Sequence, residues 1–167
     1  MKKLIILLIL LATVLFTAGC TENPDNSTST QEIQEESVVV NLTDLEQINT
    51  SVQEGPVFLK IGSEGCDACR EMEPILSDLA AEYRGQATVM SADIVQSPQL
   101  AAYFGIRYIP DSVMIVGIEN REYVYMQEDG NVTTDRFQAR VLGLNKKQVY
   151  EELMKRAILY YENTNAE

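Results

Sequence analysis

The stretch "GPVFLKIGSEGCDACREMEP", residues 55–74, places two cysteines three positions apart, after an apolar run and before a proline. The run from Val57 to Ile61 contains β-branched and aromatic side chains, which predicts a buried parallel strand. Gly65 separates this strand from the cysteines, so we expect Cys66 in the first turn of a helix that Pro74 kinks. A strand, a short turn and a helix in this order predict a layered α/β architecture.

The spacing of Cys66 and Cys69 suits reversible disulfide chemistry. Residues three apart on a helix share one face at about 5–6 Å, and a disulfide accepts that separation. At the start of a helix, unpaired amides and the positive end of the helix dipole stabilise a thiolate and lower the pKa of the Cys66 thiol. Cys69 lies one turn deeper. The pattern predicts that Cys66 attacks a partner disulfide and that Cys69 then attacks the mixed disulfide.

The beginning of the chain has the features of an export signal. Lys2 and Lys3 give a positive start, and residues 4–16 are almost entirely apolar. As a helix this stretch would span roughly 20 Å, less than the ~30 Å hydrocarbon core of a bilayer, so it fits a cleaved signal better than a membrane helix. Residues 17–20, "TAGC", resemble the lipobox of lipoprotein signal peptides, with Thr where that family usually has Leu. The resemblance implies lipid attachment at Cys20; the alternative is an ordinary signal peptide with a chance cysteine.

The next segment, residues 21–37, contains five acids and no basic residue. It has too few apolar side chains to offset the entropy of ordering, which predicts a flexible tether. We therefore divide the chain into a signal peptide at 1–19, a lipid-anchored tether at 20–40, a folded domain at 41–162 and a tail at 163–167. The expected location is outside the cell's cytoplasm, anchored to the outer face of the cytoplasmic membrane.

Composition excludes several other kinds of site. The formal charge is −12, which argues against a nucleic-acid partner because phosphates require a basic face. The sequence contains no histidine, so Cys-His and Ser-His-Asp catalysis and histidine-ligated metals are excluded. With Cys20 assigned to lipid, only Cys66 and Cys69 remain as thiols, and a four-cysteine zinc site would need a second subunit. We expect no metal and no dissociable cofactor, since the disulfide itself carries two electrons.

Further along the chain, the predicted elements continue the α/β pattern. They are a strand at 87–94, a short helix from Ser97 to about Phe104, a hairpin of strands at 112–118 and 121–126, and a closing helix that starts near Asn145. The sequence pattern of residues 127–142 is ambiguous. It predicts a loop with a short helical or strand piece.

Two stretches carry a resemblance to the thioredoxin family, over roughly residues 42–160. They are "GPVFLKIGSEGCDACREMEPILSDLAAEYRGQATV" and "VQSPQLAAYFGIRYIPDSVMIV". The resemblance implies a thioredoxin fold, with a central mixed β-sheet flanked by helices. It also implies that the Ile109–Pro110 peptide bond is cis and faces the active-site disulfide, with the Ile109 backbone pairing with an extended segment of the substrate. Gly143 matches another glycine of the family.

The sequence departs from the family beside the cysteines. Gly65 replaces the usual tryptophan, and the chain contains no tryptophan at all. Asp67 and Ala68 replace the family's familiar intervening pair, which tunes the reduction potential in such proteins. Because Asp67 and Glu64 are acidic, they should oppose thiolate formation at Cys66 and make the couple less oxidising.

Two further departures concern charge. Lys60 lies six residues before Cys66, where many thioredoxins have a buried acid. In a functional interpretation its amine takes part in proton transfer, accepting the Cys69 proton or stabilising the Cys69 thiolate; in the alternative, Lys60 reaches solvent or pairs with an acid. Asp111 stands where the family often has Thr, and its charge would disfavour acidic substrates.

These observations predict a membrane-tethered, extracytoplasmic thiol-disulfide oxidoreductase of the thioredoxin type. Its substrates would be protein thiols and disulfides, and a membrane or soluble redox partner would recharge it. Two alternatives use the same fold. One is a binding or chaperone-like module with a permanent disulfide, and the other is a dedicated reductant donor to one client in cytochrome or oxidase maturation.

Overall fold

The computed structural model describes residues 39–165. The predicted signal peptide, the lipid-bearing Cys20 and almost all of the predicted tether lie outside these residues. Within the described range, no helix combines the length and the apolar character needed to cross a membrane.

The described chain alternates helices and strands in the order that the sequence predicts, with additional short elements. The strands are β1 (Val40–Asn41), β2 (Val57–Gly62), β3 (Thr88–Asp93), β4 (Asp111–Glu119), β5 (Glu122–Met126), β6 (Val132–Thr133) and β7 (Val141–Leu142). The helices are α1 (Leu45–Ser51), α2 (Asp67–Glu82), α3 (Pro98–Tyr103), α4 (Arg136–Ala139) and α5 (Lys147–Asn165). The ambiguous stretch at 127–142 forms β6, α4 and β7, each too short for a periodic pattern to reveal.

The strands form one mixed sheet in the order β1-β3-β2-β4-β5-β6, and β7 pairs with β4. Strands β1, β3 and β2 are parallel, whereas β4 runs antiparallel to β2. Gly62 at the end of β2 is therefore paired with Asp93 at the end of β3, and Ile61 is paired with Asp111 at the start of β4. The loops that leave β2 and β3 and the loop that enters β4 all meet at this edge of the sheet.

Each face of the sheet carries its own apolar core. Phe58 and Met114 belong to a cluster with Leu76 of α2 and Tyr150 of α5. On the opposite face, alternate residues of the same strands pack against α1 and α3 in a second cluster that includes Leu59, Val113 and Phe104. All six residues of β2 are buried, as a strand covered on both faces requires. Burying each large apolar side chain stabilises the fold by about 1.5–3 kcal/mol.

The hairpin of β4 and β5 turns at Asn120 and Arg121, whose φ angles are 52° and 71°. Both residues adopt the left-handed conformation typical of the tight turns that join twisted antiparallel strands. The predicted hairpin is confirmed. Strand β1 was not predicted, since two residues give no periodic signal.

Candidate active site

The loop between β2 and α2 presents Cys66 at the helix start. Cys66 is the N-cap residue of α2, and the Cys69 backbone N–H donates to its sulfur at 3.2 Å. The two cysteines form a disulfide, with their Cα atoms 5.2 Å apart. Cys66 is half-buried, whereas Cys69 is only 1% exposed. This arrangement has the asymmetry of an attacking sulfur at the surface and a resolving sulfur behind it.

The Ile109–Pro110 segment lies against this disulfide. Its peptide bond is cis, as the resemblance implies. The Ile109 carbonyl oxygen lies 3.9 Å from Cys66 Sγ. Behind it, the Gly143 N–H donates to the Pro110 carbonyl at 2.8 Å, which ties the segment to the end of β7. The structure thus brings together residues that are more than forty positions apart in sequence.

Lys60 lies beneath the disulfide and is paired. Its side chain is 4% exposed, and Nζ lies 2.6 Å from Oε1 of Glu73, whose side chain is 51% exposed. Lys60 Nζ also donates to Ser91 Oγ at 3.3 Å. A buried ammonium is unfavourable unless it is paired and hydrogen-bonded, and both conditions are met here. The structure shows the pairing of Lys60 with an acid, and its role in proton transfer or in stabilising the Cys69 thiolate stays a prediction.

Gly62 allows Lys60 and Cys69 to approach each other. A Cβ atom added at Gly62 would lie 2.8 Å from Lys60 Cε, 3.1 Å from Lys60 Nζ and 2.9 Å from Cys69 Sγ. The amine and the resolving sulfur therefore lie within about 6 Å of each other, because both are neighbours of that one point. A cavity of about 630 Å³ adjoins the amine and is lined by Lys60, Gly62 and Glu73, among others. The Lys60 amine thus lies near the buried Cys69 sulfur and in contact with the partly exposed Glu73 carboxylate.

Asp93 anchors the loop that precedes Cys66. Its carboxylate accepts the backbone N–H of Glu64 at 3.1 Å, of Val95 at 2.7 Å and of Gln96 at 3.1 Å. Burial by itself raises the pKa of Asp93, but these three hydrogen bonds and the charge of Lys60 outweigh it, so the pKa lies below its ordinary value. The ionised carboxylate therefore holds the ends of β2 and β3 together beside the cysteines.

The acidic flank at Cys66 is partly neutralised. Asp67 forms an ion pair with Arg70, and Arg70 Nη1 also donates to the Glu64 carbonyl at 2.9 Å. The Asp67 and Arg70 side chains are largely exposed, so water screens both charges. Ala68 is half-buried in the first turn of α2. The predicted effect of Asp67 on the Cys66 thiolate remains a prediction, weakened by this cation.

The expectation for Asp111 is wrong. This residue is fully buried, and its carboxylate meets Arg136 at 2.7 Å and Arg140 at 3.1 Å as ion pairs rather than as aligned hydrogen bonds. Its side chain lies inside the protein because Asp111 begins β4, whose first six residues are all buried. Asp111 therefore presents no charge to a substrate.

Sequence reasoning missed five residues that shape this site. Glu73 could have been found, because it lies four residues after Cys69 and hence on the same helix face. The i, i+4 spacing of Arg136 and Arg140 gave a similar hint within the ambiguous stretch. The sequence around Asp93 and Gly62 does not indicate their roles, because those roles depend on the pairing of β2 with β3. Among residues 39–165, no group of three or more His, Cys, Asp or Glu side chains could hold a metal ion.

The architecture and the Cys-x-x-Cys site at the start of α2 define a thioredoxin-like fold. Solved structures agree: the chain superposes on Trichomonas vaginalis thioredoxin with a TM-score of 0.56 at 15% identity, covering 72% of this chain and 97% of that one. A mutant thioredoxin from Halobacterium salinarum gives 0.55 at 18% identity, covering 74% of this chain and 93% of that one. At such identities the likeness concerns the fold alone.

The Thioredoxin family model matches residues 37–142, so the chain belongs to the thioredoxin family. It is 34% identical over 71 residues to the chloroplastic M-type thioredoxin of Zea mays, covering 42% of each chain. It is 33% identical over 62 residues to thioredoxin 1 of Chlorobaculum tepidum, covering 37% of this chain and 61% of that one. The alignments thus span less than two thirds of these relatives' length.

Proposed function

We propose that the protein is a thiol-disulfide oxidoreductase that acts on protein thiols and disulfides through Cys66 and Cys69. The observation that carries this proposal is the asymmetry of the pair. Cys66 is accessible at the amino end of α2, and Cys69 lies 1% exposed within disulfide distance of it. A permanent staple would need no such difference in exposure, and a four-residue ring removes little chain entropy.

In the reducing direction, the Cys66 thiolate attacks one sulfur of the client disulfide and releases the other client sulfur as a thiolate. Cys69 then loses its proton, and its thiolate attacks the Cys66 sulfur. The Cys66–Cys69 disulfide forms, and the second client thiolate leaves, so two electrons pass to the client. A membrane or soluble dithiol partner returns the protein to its reduced state. Ile109 and Pro110, beside Cys66, position the client's backbone during exchange.

Lys60 stabilises the Cys69 thiolate in the second step. Because the Lys60 amine is paired with the Glu73 carboxylate, an electrostatic role is favoured over proton acceptance. A positive charge 6 Å from a thiolate stabilises that thiolate by about 3 kcal/mol at an effective dielectric constant of 20. The negative charge of Glu73 offsets part of this stabilisation. Glu73 is the member of the ion pair that faces solvent. Asp67 and Ala68 modulate the potential of the couple from the exposed side.

The N-terminal sequence supports export and lipid attachment at Cys20, which would tether the domain to the outer face of the cytoplasmic membrane. To test this, the full chain is expressed in a bacterium with a lipoprotein pathway and partitioned between detergent and water. We expect the native chain in the detergent phase and Cys20→Ser in the aqueous phase. Equal partitioning of the two would refute the anchor without affecting the redox proposal.

The redox proposal is tested by reduction of insulin with dithiothreitol as the regenerating reductant. We expect Cys66→Ser to abolish turnover and Cys69→Ala to accumulate a mixed disulfide with the client. Equilibration with glutathione gives the potential of the couple. A disulfide that stays closed throughout that titration, in a protein that reduces no client, would favour the binding module with a permanent disulfide.

A further inference from the structure

We propose that a cavity beside α4 is a second binding site, which takes a small aromatic carboxylate and holds its acid group at Arg136. We call this cavity the Arg136 pocket. It has a volume of about 340 Å³ and lies where the end of α3, strand β5 and the start of α4 meet. Six side chains form most of its wall: Tyr103, Phe104, Tyr123, Tyr125, Arg136 and Phe137. In the part of the chain that the structure describes, its lining includes neither cysteine and no atom of the Ile109–Pro110 segment, so the pocket is separate from the redox site.

The first observation is an excess of buried positive charge at this pocket. The Asp111 carboxylate is the partner of two guanidinium groups, those of Arg136 at 2.7 Å and Arg140 at 3.1 Å. The Asp111 side chain is fully buried, and the Arg136 side chain is 7% exposed. One anion therefore faces two cations, and one positive charge remains uncompensated where little water reaches. Because a buried charge is unfavourable unless it is paired, this cluster is suited to bind one further anion.

The second observation is that the Arg136 guanidinium has donors without acceptors. Asp111 meets this group at its Nη2 atom. Among residues 39–165, no atom accepts a hydrogen bond from Nε or Nη1 of Arg136, although both nitrogens are buried. Most buried polar groups in folded proteins have a partner, and those that lack one call for an explanation such as a bound ion. The planar guanidinium matches the geometry of a carboxylate, so a ligand carboxylate is the acceptor that fits.

The third observation is that the side chains around this cation are aromatic. The Arg136 guanidinium carbon lies 5.8 Å from the ring centre of Phe104 and 5.7 Å from that of Phe137. Phe104 in turn stacks on Tyr123, with ring centres 6.3 Å apart. Such rings stabilise a cation through their faces, but they leave its N–H donors without a strong acceptor. The walls therefore favour a ligand with a flat apolar body, and a volume of about 340 Å³ limits that body to a small one.

The other charges at the pocket limit the ligand to a single negative charge. Arg121, Glu122 and Asp135 line the rim, and all three are exposed, so water screens them. The Asp135 carboxylate is already used, since it accepts the Phe137 N–H at 3.0 Å. Two acids against one base make the rim slightly negative, which disfavours a doubly charged anion such as phosphate. A monocarboxylate matches the one excess charge at Arg136.

Tyr125 adds a neutral polar group to the wall. Burial raises the pKa of the Tyr125 hydroxyl above its ordinary value, Tyr103 adds to this effect, and the charge of Arg136 opposes it. The hydroxyl therefore stays protonated at neutral pH, and it lies near enough to Arg136 to interact with its charge. A protonated phenol is a donor, so it can share the ligand carboxylate with the guanidinium.

The experiment measures the binding of four probes to the full chain, kept in a non-ionic detergent, by isothermal titration calorimetry. Benzoate has the ring and the charge, benzamide the ring without the charge, acetate the charge without the ring, and inorganic phosphate a different anion. We expect benzoate to bind one site with a Kd of about 1 mM or lower, and the other three probes to bind at least about tenfold more weakly. In ¹⁵N-labelled protein, benzoate should also shift the Nε–H signal of Arg136.

Two variants test the pocket, each with a matched control. Arg136→Lys keeps a cation for Asp111 but loses the free guanidinium donors, so it should weaken benzoate binding about tenfold or more. Tyr103→Ser removes part of the wall at a 56% exposed position, where folding tolerates the change, and should weaken benzoate binding about threefold or more. The controls are Arg107→Lys and Tyr108→Ser, two exposed positions outside the lining, which should bind benzoate as the wild type does.

Several results would overturn the site. No saturable binding of benzoate to the wild type would mean that water satisfies the Arg136 donors. Equal affinities for benzoate and benzamide would remove the role of the charge, and tighter binding of phosphate would make this a site for an inorganic ion only. An unchanged affinity in Tyr103→Ser would also overturn it, and this variant decides the matter if Arg136→Lys does not fold. Cys66→Ser should bind benzoate as the wild type does, so this site and the redox function fail or stand separately.

Discussion

Lys60 Nζ lies 2.6 Å from Glu73 Oε1, so the charge beneath the disulfide is positive and its counter-ion comes from helix α2. A lysine in the centre of a buried strand is tolerated because α2 supplies a carboxylate one turn beyond Cys69. The pair thus has one end near the resolving sulfur and the other in solvent.

Lys60→Met should slow the attack of Cys69 on the mixed disulfide by about tenfold, because the charge that stabilises its thiolate is lost and the Glu73 carboxylate remains. The double variant Lys60→Met, Glu73→Gln should recover part of the rate. The measurement is the slow phase of thiol release after rapid mixing of reduced protein with a chromogenic disulfide. Lys155→Met, on the exposed face of α5, is the control. An unchanged slow phase in Lys60→Met would leave the lysine a structural role only.

Gly62→Ala should destabilise the protein by about 1–3 kcal/mol, because the new methyl group would overlap Lys60 and Cys69. Gly117→Ala is the matched control: it is also in the sheet, but an added Cβ there meets nothing within 4 Å. Urea unfolding of the two oxidised variants gives the comparison. Equal midpoints for both would show that the space around Gly62 is less restricted than these distances indicate.

Asp111→Asn should cost about 3–5 kcal/mol of unfolding free energy, because two arginines lose the anion that compensates them inside the protein. Asp67→Asn removes a similar pair at the surface and should cost less than about 1 kcal/mol. Both values come from chemical denaturation at the same pH. A small loss in Asp111→Asn would mean that the two guanidinium groups find other acceptors or reach water.

Asp67→Asn should also make the Cys66–Cys69 couple slightly more oxidising, because removing a negative charge favours the thiolate of the reduced form. Screening and the nearby Arg70 keep the expected change below about 20 mV. Arg70→Met should shift the potential in the opposite direction. Equilibration with glutathione measures the reduction potentials of both variants. A shift of the same sign in the two variants would argue that helix structure, rather than charge, had changed.

Stability should depend on pH through Asp93. Its pKa is lower in the folded protein than the ordinary value of about 3.9, so its contribution is fully present above pH ~5 and disappears as the pH falls through the folded value. The difference in unfolding free energy between wild type and Asp93→Asn should therefore shrink below pH ~4. Asp93→Asn should also change the alkylation rate of Cys66, whereas Asp129→Asn, in a loop between β5 and β6, should not. A difference in unfolding free energy between wild type and Asp93→Asn that stays constant down to pH ~2 would contradict the lowered pKa of Asp93.

The core of the site was readable from local pattern. An apolar run, a glycine and two cysteines at helical spacing predict the strand, the turn and a sulfur at the start of the helix. The partners of the charged residues were not readable in this way. The pairing of Lys60 with Glu73 joins two elements whose relative rotation no short pattern specifies. Asp111 was misjudged because its partners, Arg136 and Arg140, come from a stretch whose sequence pattern was ambiguous and which tertiary packing brings against β4.

By itself, the amino-acid order determined the longer strands and helices and where the two thiols stand along them, since side-chain periodicity and backbone preferences act over a few residues. Tertiary structure decided which charges neutralise one another and which apolar side chains remain uncovered. Both outcomes depend on strand register and on the packing of α2 and α4 against the sheet edge, and these are set by the sum of many distant contacts.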